Sequence, residues 1–187
     1  GMRWFEVRSL DELEKRIGEA EVLLVSGLWR NELIARAPRL AFIQSISAGL
    51  DQYSRDALRA AGIRLASAQG ANERAVAEHA IALMLALARK LPQARDNQTA
   101  GKWRGMISEI SAREDELGGK ALGIVGMGRI GSRLATLAKA FDMRVIGIKR
   151  DPSTGRGAAD EVVAQARLHD VLPQADFAAL TCPLTPE

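Results

Sequence analysis

The chain has 187 residues, 47% of them hydrophobic, enough to bury one large core or two smaller ones. Its 26 Lys and Arg against 23 Asp and Glu give a net charge of +3 with the two signs interspersed, which argues against a dedicated nucleic-acid surface. The single cysteine, Cys182, cannot close an internal disulfide, and no leader or apolar run of the roughly 20 residues that span a bilayer is visible, so the expected setting is cytoplasmic with no membrane partner.

Apolar runs alternate with helical patterns along the whole chain, the mark of an α/β protein with a mostly parallel sheet. The first half predicts strands at Trp4–Val7, Val22–Ser26, Ala41–Ile46 and Ile63–Ala66, and helices at Leu10–Ile17, Glu32–Arg36 and Arg55–Ala60. Ser9 and Glu12 suit a capping box for the first helix, and Ser54 with Asp56 suits the start of the third. Val76, Ala80, Leu83, Met84 and Leu87 then recur at helical spacing, which predicts a long, largely buried helix over 72–91, with Pro92 where it ends or bends. His79 on that helix reads as a packed residue, and His169 beside Asp170 as a solvated one.

A polar stretch over 93–117 follows, and a domain boundary is placed around 93–100, giving domains 2–95 and 96–187. The second half predicts a strand at Ala121–Val125, a helix at Arg129–Phe141, strands at Arg144–Ile148 and Glu161–Val163, a helix at Arg167–Leu172 and a strand at Phe177–Thr181.

Between the first of these strands and its helix lies Gly126-Met127-Gly128-Arg129-Ile130-Gly131, a G-x-G-x-x-G. The hexapeptide alone is weak, but strand before, helix after and second strand beyond make it a dinucleotide-binding unit. The first Gly permits the tight turn, the second lets backbone N–H groups approach a pyrophosphate, and the third lets helix and strand pack closely; the helix N-terminus offers free N–H donors and partial positive charge. All six residues are therefore candidate cofactor contacts. The ribose-selecting position at the end of the second strand usually carries Asp or Glu when the cofactor is NAD. Here it carries Lys149 and Arg150, which suit a 2′-phosphate, so NADP is the expected cofactor and NAD the alternative. The competing reading is a solvated strand end, with Asp151 supplying acidic character.

Phe42 to Asp51, Ala75 to Ala80, Gly101 to Trp103, the glycine turn and Leu180 to Glu187 together resemble the D-isomer-specific 2-hydroxyacid dehydrogenases, in order and at about their spacing. The resemblance implies a flavodoxin-like substrate domain followed by a Rossmann NAD(P)-binding domain incomplete at its C-terminal end, with the active site in the cleft between them. It assigns Ala48 and Gly49 to a loop whose N–H groups hold the substrate carboxylate, and Cys182 and Pro183 to a strand end that touches the cofactor. It implies a small 2-oxo or 2-hydroxy acid as substrate, and a homodimer. The family's Arg, Glu and His of catalysis match no position here, so no catalytic residue is assigned within this chain and no metal is expected. The alternative is an inactive relative that binds NAD(P) as a sensing or interaction module.

Overall fold

The computed structural model describes residue 1 and residues 3–183, so Leu184–Glu187, the end of the last resembling segment, lie outside the described residues. The chain divides into two compact units, Gly1–Asn72 and Glu73 onward.

The first unit is built on three parallel strands, β1 (Val22–Val25), β2 (Phe42–Ser45) and β3 (Arg64–Ala66), in the order β1-β2-β3. A six-residue 3-10 segment, Asn31–Arg36, links the first pair, and helix α2 (Arg55–Ala60) links the second. Helix α1 (Leu10–Arg16) precedes them and carries its apolar residues at the spacing that buries Leu13 and then Ile17. These two pack with Trp29, Leu33, Ile43 and Leu58 into one core. Strand alternation sends Ile43 and Val25 into that core, while Val22 and Leu24 stay exposed on the opposite face.

Ser9 caps α1 as expected, its Oγ accepting the Glu12 N–H at 3.2 Å. The return bond comes from one residue earlier than a capping box predicts, the Arg8 N–H donating to Glu12 Oε2 at 2.8 Å. Ser54 stands at the N-cap of α2 without a capping bond, and its own N–H donates instead to Asn31 Oδ1. The strand expected at Trp4–Val7 is not formed. Phe5 and Val7 reach the core from irregular backbone while Trp4 stays exposed, because among the described residues no neighbouring strand offers them a ladder.

The second unit holds strands β4 (Ala121–Val125), β5 (Arg144–Lys149), β6 (Glu161–Ala164) and β7 (Phe177–Leu180), all parallel, in the order β6-β5-β4-β7. Sequence order reverses at β4, so a switch point lies between the C-terminal ends of β4 and β7. Helix α3 (Glu73–Ala88) lays Ala77, Ile81, Met84 and Ala88 in the same core as Leu134, Ala135 and Ala138 of helix α5 (Arg129–Lys139). The small alanines let the two helices approach closely.

Two expectations are corrected on α3. The helix stops at Ala88 instead of running to 91, since Lys90 takes a left-handed conformation (φ 50°), and a new helix α4 (Leu91–Thr99) starts with Pro92 in its first turn. His79 is exposed, not packed, because the buried stripe of α3 runs through Ala77 and Ile81 on either side of it. No helix among the described residues is long and apolar enough to cross a membrane.

The far end of α5 is pinned by an ion pair, in which Lys139 Nζ donates to both carboxylate oxygens of Asp160 at 2.9 Å. Asp160 also accepts the Val145 N–H at 2.8 Å, tying the loop before β6 to the start of β5. The Lys139 hydrogen bond, and after it the Val145 N–H, hold the Asp160 carboxyl below its ordinary range. A depressed carboxyl stabilises the fold above its unfolded value of about 4, and that contribution is lost as pH falls through the lower folded value. Asp160→Ala is therefore expected to unfold at lower urea than the parent at pH 7, with the gap closing in titrations carried down towards about pH 3.

Candidate functional site

At the switch point the backbone of one turn is pressed against the end of another strand. Gly126 follows β4 with φ +100°, a left-handed conformation that favours glycine. A Cβ there would stand 2.7 Å from Cys182 N and 2.9 Å from Cys182 Cα, so the chain leaving β7 passes directly over the turn. At Gly131 a Cβ would lie 2.1 Å from Gly126 O and 2.8 Å from Thr181 Oγ1. Gly128 differs: nothing stands within 4 Å of its absent Cβ, and it forms the N-cap of α5. First and third glycines are thus required by packing, whereas the second keeps the approach to the helix end open.

The turn is held by named bonds. Gly126 N–H donates to Ile148 O at 2.8 Å, and the Thr181 hydroxyl donates to Gly126 O at 2.6 Å. The Ser132 N–H, donating to Gly128 O at 2.9 Å, is the first rung of the α5 ladder. Amides before it have no i−4 carbonyl within the helix, which is the donor set that binds an anion at a helix N-terminus. Arg129 and Ile130 open the helix, exposed and half-buried respectively. Met127 turns its side chain onto β5, where a Cβ at Gly147 would meet Met127 Cγ at 2.7 Å, so its backbone is what it can offer a ligand.

At the end of β5 the two expected cations behave differently. Lys149 is half-buried and its Nζ donates to the carbonyl of Gly155, bridging the loop that follows. Arg150 is exposed and makes no hydrogen bond or ion pair among the described residues. Asp151 accepts from Ser153 Oγ at 2.6 Å and Ser153 N–H at 3.0 Å, capping a 3-10 turn over Pro152–Thr154. Those bonds, the hydroxyl first, hold its carboxyl below the usual range, with Lys149 adding to the effect. Cys182 and Pro183 are exposed just beyond β7.

Ala48 and Gly49 lie in the turn after β2, the central strand of the other sheet. Ser45, fully buried at the end of β2, accepts the Ser47 N–H on its Oγ at 3.2 Å, and Ser47 O accepts the Ala68 N–H. Among the described residues no acceptor takes the N–H of Ala48 or Gly49. The turn is braced by its neighbours and presents two free donors.

Sequence reasoning left Thr181 and Gly147 without roles. Thr181 closes the glycine turn from the β7 side, and the signal for it was a short hydroxyl side chain at a strand end. A glycine inside a strand, such as Gly147, signals close approach by another group, here the Met127 side chain. No cluster of three or more His, Cys, Asp or Glu suited to a metal occurs among the described residues.

Known proteins resemble this chain in sequence and in fold. Residues 81–187 match the family model for the D-isomer specific 2-hydroxyacid dehydrogenase NAD binding domain. The whole chain is 34% identical to D-3-phosphoglycerate dehydrogenase of Mycobacterium bovis, covering 35% of that protein. Over 83% of its length it is 37% identical to glyoxylate reductase of Aeropyrum pernix, covering 47% of that protein. Among solved structures, a D-isomer specific 2-hydroxyacid dehydrogenase family protein from Aeromonas salmonicida superposes on 96% of this chain with a TM-score of 0.81 at 29% identity, and 55% of it is covered. The chain thus spans between about a third and about half the length of these relatives.

Two of the glycines differ in the room that a methyl group would find. Gly131→Ala is expected to destabilise the fold by about 1–3 kcal/mol in denaturant titrations, because the new Cβ forces the Gly126 carbonyl aside. Gly128→Ala, with space around it, is expected to stay within about 0.5 kcal/mol of the parent.

Proposed function

The chain belongs to the D-isomer specific 2-hydroxyacid dehydrogenase family, and from that premise we propose that it binds NADP as part of an oxidoreductase acting on small 2-oxo or 2-hydroxy acids. The observation that carries the reading is the glycine turn: its first and third positions exclude any side chain, while its second leaves the N-terminus of α5 accessible. A pyrophosphate fits there, held by backbone N–H groups of the turn and of the first turn of α5 and by the helix dipole.

Selection of NADP over NAD rests on Arg150, which is exposed and uncommitted, with Lys149 adding positive charge while it braces the loop through Gly155. The competing acidic candidate, Asp151, is engaged by Ser153, which supports the basic reading. Cys182, which crosses the turn, and Pro183 after it would border the cofactor. When bound, the cofactor supplies a hydride from its nicotinamide ring. The free N–H groups of Ala48 and Gly49 would hold the substrate carboxylate, and we read the first unit as the flavodoxin-like substrate domain on that account.

We also propose a homodimer. In the second unit Trp103 and Met106 are 97% and 96% exposed, a large apolar surface for a protein to leave in water. Sedimentation at micromolar concentration is expected to show a dimer that Trp103→Glu weakens; a stable monomer in the parent would contradict the assembly.

Titrating the protein with NADPH and NADH tests the cofactor. The expected result is tighter binding of NADPH by roughly ten- to a hundredfold, a margin that Arg150→Ala removes while leaving NADH affinity within about twofold. Equal affinities in the parent would overturn the NADP assignment. Oxidation of NADPH with glyoxylate or hydroxypyruvate would establish turnover, and binding without it would favour the sensing module.

A further inference from the structure

The first unit carries a second concavity, along the flank of α2 and the open edge of β3, that the proposed function does not use. Its volume is about 410 Å³, within the range of small-molecule sites. Leu50, Leu58, Ile63 and Leu65 give it an apolar lining, and two exposed arginines, Arg55 and Arg59, line it with them. These arginines are four residues apart on α2, where like charges repel each other. Little compensates them. Arg55 has no hydrogen bond or ion pair among the described residues, and Arg59 meets only Asp56, at 3.7 Å, whose side chain is 97% exposed and whose charge is therefore strongly screened. No carboxylate lines the concavity.

Arg64 borders the same groove, but its guanidinium lies 5.9 Å from the Phe42 ring centroid. Arg64 and Phe42 are register partners on the sheet face opposite Ile43 and Leu65, so the Arg64 charge is directed away from α2. The edge of β3 adds one polar group. Arg64 donates its N–H to Ala41 O, and in a parallel pair alternate residues bond a given neighbour, so the N–H of Leu65 points away from β2 towards the open edge.

We infer that this groove binds a small organic anion with an apolar body, an aryl or branched carboxylate or phosphate ester whose hydrocarbon part lies on the leucines while its charge pairs with Arg55 and Arg59. Guanidinium forks match the two oxygens of either anion, and the apolar lining distinguishes such a ligand from inorganic ions. The site is independent of the nucleotide reading, since none of its residues belongs to the turns at Ala48–Gly49 or Gly126–Gly131.

The test is an amide-resolved NMR titration of the full chain with benzoate, phenyl phosphate and the neutral benzyl alcohol. The expected result is saturable shifts at Leu58, Arg59, Ile63 and Leu65 with either anion, the tighter of the two assigning carboxylate or phosphate. Benzyl alcohol should bind at least about tenfold more weakly. Arg55→Ala with Arg59→Ala should weaken the anion by about tenfold or more, with melting temperature and NADPH titration unchanged. Arg55→Lys with Arg59→Lys, which keeps the charge and loses the fork, should fall between. Shifts confined to Ala48–Gly49, affinity for benzyl alcohol equal to that for the anions, or full affinity in the double alanine variant would each overturn the inference.

Discussion

Everything at the switch point depends on how near two stretches of backbone can come. The turn after β4 and the chain leaving β7 touch where Gly126 faces Cys182, and the turn folds onto itself where Gly131 faces Gly126 O. Any side chain at 126 or 131 would occupy space already filled by main chain, and main chain cannot yield as a flexible side chain can. The Thr181 hydroxyl then converts proximity into a bond by donating to the Gly126 carbonyl. As a result the N-terminus of α5 stands at the sheet's switch point, where its leading amides have no i−4 carbonyl within the helix. Its other end is fixed by Lys139 and Asp160, and its flank by α3. A helix fixed along its length in this way holds its dipole and donors in one place before any ligand arrives, which lowers the ordering cost of binding.

The loop beyond β5 shows how local bonding divides similar residues into different roles. Lys149 and Arg150 look equivalent in the sequence. In the structure the ammonium of Lys149 is committed to the Gly155 carbonyl, and only Arg150 is left with all its donors. Asp151, which could have met a ribose hydroxyl, is committed to Ser153. The strand end therefore presents net positive charge from one residue, supported by a second that shapes the loop.

Much of this was readable from residues alone, because the second sheet is specified by strong local signals. Ala121–Val125 is an apolar run with a glycine turn behind it, and strand and turn appear where the pattern puts them. The same holds for α2 and for β1 to β3, within a residue or two at their ends. What failed depended on partners or on backbone conformation that periodicity does not encode. Trp4–Val7 has the composition of a strand but no strand beside it. The break after Ala88 follows from a left-handed Lys90, which apolar spacing cannot reveal. His79 was misread because the spacing of Val76, Ala80, Leu83, Met84 and Leu87 suggested a largely buried helix, whereas the structure leaves Val76, Leu83 and Leu87 exposed. In the site, the glycines were legible because their absent side chains leave a fixed spacing, whereas Thr181 acts on a residue 55 positions away and leaves no such trace.

Both candidate turns use one device. Ala48–Gly49 follows β2, flanked by β1 and β3, and Gly126–Gly131 follows β4, flanked by β5 and β7. An internal strand is hydrogen-bonded on both sides, so its end has little freedom to drift, and the turn that leaves it inherits that placement. In a parallel sheet all such ends lie on the same side, where following helices direct their N-termini and their free amides. Small residues at the exit let those amides be reached. On the proposed reading, two chemically different anions, a carboxylate and a pyrophosphate, would be met by the same backbone chemistry, leaving Arg150 beyond β5 to act at the ribose end of the cofactor.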